Sequence, residues 1–187
     1  MRYAPTGAAR GPVGCEVTGI TYSGDMRTAF VNIQHPGADG TLGWPDGGIT
    51  ETPDFVRQAV NLIRRHQPRT IALPYWDDRH PDHAAASRVL TVAAFRSGLR
   101  RFDTGLPSWR ADWVCYYFIN DAVPPSFIVD VSAHYERKRR ALDCHASQFA
   151  PSGPDAVGTR LTASSFRQLI ETRDAQFGAR AGVEFAE

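Results

Sequence analysis

Residues 77–83 read DDRHPDH: three aspartates, one arginine and two histidines within seven positions. Histidines three apart lie on one face if the segment is helical, one turn from each other. Imidazole nitrogens and carboxylate oxygens are the ligands zinc accepts, and catalytic zinc sites use three of them plus water. His80 and His83 therefore make half of a metal site, and Asp82 between them is placed to orient one ring from behind. An HxxH pair alone is short and common, and two solvated rings at a helix start is its commoner outcome. Asp77 and Asp78 read equally as carboxylates backing a ligand or as a solvated loop pair.

The elements around the motif give it a position. TIALPYW (70–76) reads as a buried strand, and Pro81 suits the first turn of a following helix. His80 then falls near the N-cap and His83 in the first turn. Ala85, Val89, Val92 and Ala93 continue that helix along one face. In an open α/β sheet, the carboxyl ends of the strands are where ligands bind. The positive end of the helix dipole also disfavours a cationic ring there. Upstream, Thr52 caps a helix with Pro53 at its first position and Val56, Ala59, Val60 and Ile63 at helical spacing, ended by Pro68. Downstream, VCYYFIND and SFIVDVS read as strands. A helix is expected over 132–148, then a Gly/Pro/Ser-rich loop (150–158), then a last helix carrying Phe166, Leu169, Ile170 and Phe177. Strands alternating with helices of this length indicate α/β architecture with a mostly parallel sheet. Residues 15–23 and 28–34 differ in texture: they are β-branched and aromatic, separated by a turn, and read as a β-hairpin.

Composition sets bounds. The chain has 187 residues, 42% hydrophobic and 22% charged, with net charge +1, as expected of a globular protein. The near-neutral balance argues against nucleic acid as a partner. No apolar run approaches a spanning helix, so no membrane partner is expected either, and a reducing cytoplasm is the default location. Cys15, Cys115 and Cys144 are too few and scattered for a disulfide framework and read as packing residues. His134 and His145 are eleven apart and too distant to share a metal. His66 ends a helix, where a cationic ring is favourable.

PYWDDRHPDHAAASRVLTVAAFRSGL, YYFIND and PSFIVDVSAHYERKRRALDCHASQF occur in an order that resembles the LmbE/PIG-L family of zinc-dependent N-deacetylases. The likeness is greatest to the branch that deacetylates a glucosaminyl-malate precursor in bacillithiol biosynthesis, and it covers about residues 42–187. It implies a Rossmann-like three-layer sandwich, here preceded by the hairpin segment, and Zn2+ as cofactor. It further implies His83 as a zinc ligand, and His80 as the group that polarises the scissile carbonyl or protonates the leaving amine. Asp82 would hold His80, and Arg79 and Arg110 would contact substrate. The implied partner is a small amino-sugar conjugate, and homo-oligomerisation is left open.

The family's other motif, AHPDD, supplies two further ligands and the general base, and it does not occur in this sequence. The nearest string is VNIQHPGADG, with His35 followed four residues later by Asp39; these are candidate displaced ligands. A second resemblance covers about residues 10–48: EVTG and FVNIQHPG are similar to the last stretch of PhoX-type alkaline phosphatases. WPDGG (44–48) fits both families. The chain thus reads as a segment 1–48 joined to a deacetylase-like portion 49–187, with a non-catalytic α/β remnant as the competing reading. A PhoX-type phosphatase fragment is a more distant one. TAFVNIQ is the candidate to cover the sheet edge that the family's own first strand would otherwise occupy.

Overall fold

The computed structural model describes residues 21–22, 28–30, 42, 44–45, 47–144, 149 and 158–187. The chain divides into two compact units, residues 13–121 and residues 122–187 with 1–12.

In the first unit, helix α1 spans Pro53–His66, with Thr52 Oγ1 accepting from Phe55 N at 3.2 Å. It ends where Gln67 turns left-handed (φ 49°) and returns its N–H to Ile63 O. Pro68 then forbids continuation. Strand β3, Thr70–Pro74, is buried from Ile71 onward, and helix α2 spans Pro81–Ser97. Strand β4, Trp113–Tyr117, lies parallel to β3, with Ile71 opposite Val114 and Leu73 opposite Tyr116. Two short strands complete the sheet: β1 (Thr21–Tyr22) pairs antiparallel with β2 (Thr28–Phe30), which runs parallel to β3 with Thr28 opposite Thr70. The order is β1-β2-β3-β4, a mostly parallel sheet in a mixed α/β fold. The hairpin is present over its described residues, and its second strand covers the β3 edge.

Val56, Val60, Ile63, Ile71, Leu73, Val89, Leu90 and Ala93 build the core between α1, α2 and β3. Each Val, Leu or Ile among them stabilises by roughly 1.5–3 kcal/mol on full burial. The WPDGG segment contributes to the same core: Trp44 is 2% exposed and stacks on Phe55 at 4.7 Å, while its Nε1 donates to Gln58 Oε1 at 3.0 Å. A segment that reads as loop is thus anchored by its one large apolar ring.

In the second unit, SFIVDVS forms no strand. Its backbone makes one antiparallel bridge, Asp130 to Ala186, flanked by Val129–Glu187 and Val131–Phe185 hydrogen bonds. Phe127 and Val129 are exposed, so this apolar run lacks the two-sided burial that a central strand needs. The helix expected from 132 begins as a 3-10 turn, Ser132–His134, and becomes α3 over Tyr135–Asp143. Helix α4 spans Ser164–Ala181. Its Asp174 is fully buried and accepts from Tyr135 Oη (2.9 Å) and Lys138 Nζ. Phe185 stacks on Tyr135 at 3.7 Å. Gly178 lets Glu184 pass: a Cβ there would lie 2.5 Å from the Glu184 carbonyl oxygen. Cys144 is exposed rather than packed.

Candidate functional site at the carboxyl end of β3

The sheet hydrogen bonding continues one residue past β3, where Tyr75 N donates to Tyr117 O at 2.9 Å. The chain then loops through 76–79 and enters α2 at Pro81. His80 is the N-cap (φ −86°, ψ 121°), and its Nδ1 accepts from Asp82 N at 3.2 Å. A helix leaves its first N–H groups unpaired. Here an imidazole nitrogen, an unusual cap, satisfies one of them.

Asp78 organises the site. Its Oδ1 accepts from His80 N (2.8 Å), His83 Nδ1 (2.9 Å) and Asn120 Nδ2 (2.9 Å), and its Oδ2 accepts from Asn120 N (3.2 Å). The side chain is 3% exposed and that of His83 15%. Burial alone would raise the Asp78 carboxyl. Hydrogen bonds from His80 N–H and Asn120, with the neighbouring His83 ring, outweigh it and hold the group below its ordinary value. Asn120 sits just past β4, so two adjacent parallel strands deliver their carboxyl-end polar residues to one point.

The two rings stack with centroids 4.6 Å apart. Their proton positions follow from their partners. An ionised Asp78 accepts from His83, which puts the His83 proton on Nδ1 and leaves Nε2 as an acceptor or ligand. His80 is the reverse: Nδ1 accepts, so in the neutral ring Nε2 carries the proton and donates. One face thus offers a ligating nitrogen beside a hydrogen-bond donor. A carboxylate behind His83 is the arrangement that orients and strengthens metal-binding histidines.

The roles anticipated for the neighbouring residues change in three places. The Asp82 carboxylate does not hold the His80 ring. It is 3% exposed and accepts from Gly47 N (2.6 Å) and Ile49 N (3.3 Å), tying the 44–49 segment to the α2 N-terminus; only its backbone N–H meets His80. Arg110 lies at the opposite end of α2. Its guanidinium packs on Gly98, where any Cβ would meet it at 2.8 Å, and over the Phe95 ring. Seventeen residues of α2 separate that end from His80, about 25 Å of helix, so the guanidinium sits at the end of α2 away from the histidines. His66, expected to favour the cation, is shifted the other way, first by burial and then by Arg65. Arg79 and Asp77 are exposed on the loop beside the site, and His134 is exposed in the other unit.

His35, Asp39 and His145 lie outside the described residues. Among the described residues no group of three His, Cys, Asp or Glu is placed to hold a metal. His83 fits one ligand position; the described chain supplies no complete set. Asn120 is a site residue that the sequence reading misses. A polar residue just after the apolar run of β4 is the signal that could have found it.

A family profile described as alkaline phosphatase PhoX matches residues 4–37. Over 155 residues the chain is 28% identical to the diacetylchitobiose deacetylase of Thermococcus kodakarensis, covering 76% of this chain and 53% of that protein. Among solved structures, a conserved protein from Thermus thermophilus superposes with TM-score 0.70 at 30% identity, covering 79% of this chain and 62% of the other. The N,N'-diacetylchitobiose deacetylase of Pyrococcus horikoshii gives TM-score 0.62 at 21% identity, over 79% of this chain and 54% of the other. The 4-carboxy-2-hydroxymuconate hydratase of Pseudomonas putida gives 0.55 at 17%, over 74% and 60%. The chain is therefore homologous to a deacetylase and shares the α/β fold of these structures, and it spans about half to three-fifths of their length. Because one fold here carries both a deacetylase and a hydratase, fold alone does not assign the reaction.

Proposed function

We propose that this chain is a zinc-dependent N-deacetylase of the LmbE/PIG-L type that hydrolyses the acetamide of an N-acetylglucosamine conjugate, with its site at the carboxyl end of β3. The observation that carries this reading is the Asp78–His83 pair beside His80, set in a sequence homologous to a sugar deacetylase. In amide hydrolysis, water adds to the carbonyl carbon, the C–N bond breaks, and acetate and a free amine leave. His80 Nε2–H is suited to donate to the carbonyl oxygen as it gains negative charge. The competing role, protonating the amine, needs a doubly protonated ring. That would set Nδ1–H against the Asp82 N–H it now accepts from, so the geometry favours carbonyl polarisation.

Zinc, when bound, would supply Lewis-acid activation of water and carbonyl. His83 Nε2 would be one ligand, with His35 and Asp39 its proposed partners. In support, β2 runs parallel to β3, so the chain leaves β2 toward the sheet end that bears the histidines. Arg79, exposed beside His80, is the proposed substrate contact. The substrate is a small amino-sugar conjugate, either glucosaminyl-malate as in bacillithiol biosynthesis or a chitobiose. Among the described residues no helix is long and apolar enough to cross a membrane.

The test is acetate release by the purified full chain with added zinc, on N-acetylglucosaminyl-malate and on diacetylchitobiose. Activity on either is expected. Replacing His83 with Ala should abolish it, and His80→Ala should lower it by about 10²–10⁴-fold. A second reading, a non-catalytic α/β remnant, is favoured by a sequence in which the family's AHPDD string does not occur. Absence of acetate from both substrates would select it. Hydrolysis of p-nitrophenyl phosphate instead would return attention to the PhoX-like segment.

A further inference from the structure

The geometry points to Trp76 as a carbohydrate-stacking platform that receives the pyranose ring of the substrate beside His80 and His83. This inference rests on the deacetylase reading and adds the residue that would select a sugar over other acetamides. Trp76 is 53% exposed, although a tryptophan on a surface loop is usually turned inward or packed away. It is nevertheless held on two sides. Tyr75 lies against it with centroids 4.2 Å apart and tilted 38°, and Tyr116 meets it edge-on at 4.9 Å and 85°. Both supports are themselves anchored: Tyr75 N donates to Tyr117 O and its ring meets Phe118 edge-on, while the Tyr116 hydroxyl is 2.9 Å from Thr91 Oγ1 on α2. The indole is thus fixed in place yet leaves half its surface to solvent. A ring immobilised before binding presents its apolar face at little entropic cost.

Its location gives the ligand. Trp76 is two residues before Asp78 and four before His80, so its Cα lies within about 7 Å and about 14 Å of theirs. Tyr116 in turn reaches Thr91, midway along α2, the helix whose N-terminal end carries both histidines. Among the described residues of this unit, the other large exposed aromatics, Trp113 and Phe95, lie at the start of β4 and near the end of α2, away from the histidines. A flat, electron-rich surface suits the C–H face of a pyranose, whose axial hydrogens carry partial positive charge. The polar groups for orientation are adjacent: Asp77 and Arg79, both exposed, flank Asp78 on the same loop.

Two measurements on the full chain separate this proposal from the reaction it rests on. The first is saturation-transfer NMR with methyl N-acetyl-β-glucosaminide, which reads binding without turnover. Ring-proton signals are expected in wild type and in His83→Ala, weaker but present in Trp76→Phe, and lost in Trp76→Ala. The second is steady-state deacetylation. Trp76→Ala should raise KM for the sugar by about tenfold with kcat within about twofold, and leave an acyclic acetamide, N-acetylethanolamine, unaffected. If wild type releases no acetate but the ring protons still report Trp76-dependent binding, the deacetylase reading fails and the platform stands. Sugar binding equal in Trp76→Ala and wild type, or absent from both, overturns the platform. So does equal impairment of the sugar and the acyclic amide.

Discussion

The two ends of α2 are organised by opposite charges. At its start the Asp78 carboxylate collects donors: His80 N–H, the His83 ring, and both the side chain and backbone of Asn120. At its end the buried Arg64 guanidinium collects acceptors: the carbonyls of Ser97, Leu99, Phe102 and Leu106, and the Thr104 hydroxyl. Both clusters tie up polar groups left over by the helix and the loop beside it. They differ in what remains. Arg64 directs all three guanidinium nitrogens into the protein, so its cluster is structural. Asp78 uses its own oxygens but fixes the His83 ring, on which the His80 ring stacks, and each ring keeps a nitrogen, Nε2, outside that network. A charged cluster that leaves oriented atoms over can do chemistry; one that consumes them all holds the chain together.

That contrast can be broken at either end. The largest stability loss is expected at the structural end: Arg64→Met should cost about 3 kcal/mol or more in urea unfolding, because several carbonyls lose their donor at once. The same change should leave the KM of the folded enzyme unaltered. Asp78→Asn should lower deacetylation by about 10–100-fold, with a smaller stability loss of about 1–3 kcal/mol, since the His83 ring loses the carboxylate that orients it. Asp78 also gives a pH signature. Its carboxyl titrates lower in the folded than in the unfolded chain, so its contribution is present above the unfolded value of roughly 4 and is lost as pH falls through the folded one. Urea midpoints followed down from pH 6 should therefore drop more steeply for wild type than for Asp78→Asn. Asp82→Ala should release the 47–49 backbone, costing about 1–2 kcal/mol, with faster amide exchange at Gly47 and Ile49 as the local readout. Arg110→Ala, at the far end, should change stability by about 0.5 kcal/mol or less and activity not at all.

Much of this arrangement is legible in the sequence because it is local. Thr52 and Pro53 mark the start of α1, and Pro81 marks the α2 start and so places His80 near its N-cap, the position it takes. β3 stands out because Ile71, Ala72 and Leu73 are apolar and flanked by Pro68 and Pro74. The errors arise where pairing is long-range. Proximity in sequence assigns Asp82 to its neighbour His80, but its carboxylate reaches loop residues 33 and 35 positions away. Type and spacing do not separate Asp78 from Asp77; burial against Asn120, 42 residues on, distinguishes them. Trp44 sits in a glycine-proline stretch that reads as connector, yet the stack on Phe55 brings it into the core. SFIVDVS has the composition of a strand, but among the described residues its backbone pairs through a single bridge to the segment Phe185–Glu187. The role expected of Arg110 rests on a resemblance, and the length of α2 places it away from the histidines.

The central claim is that chemistry belongs to the α2 N-terminal end and not to its C-terminal end. The most direct test is acetate release from an N-acetylglucosamine conjugate by His83→Ala and Arg110→Ala side by side with wild type, each checked for folding by circular dichroism. No acetate is expected from His83→Ala, and wild-type rates are expected from Arg110→Ala. Full activity in His83→Ala, or its loss in Arg110→Ala alone, would contradict the claim.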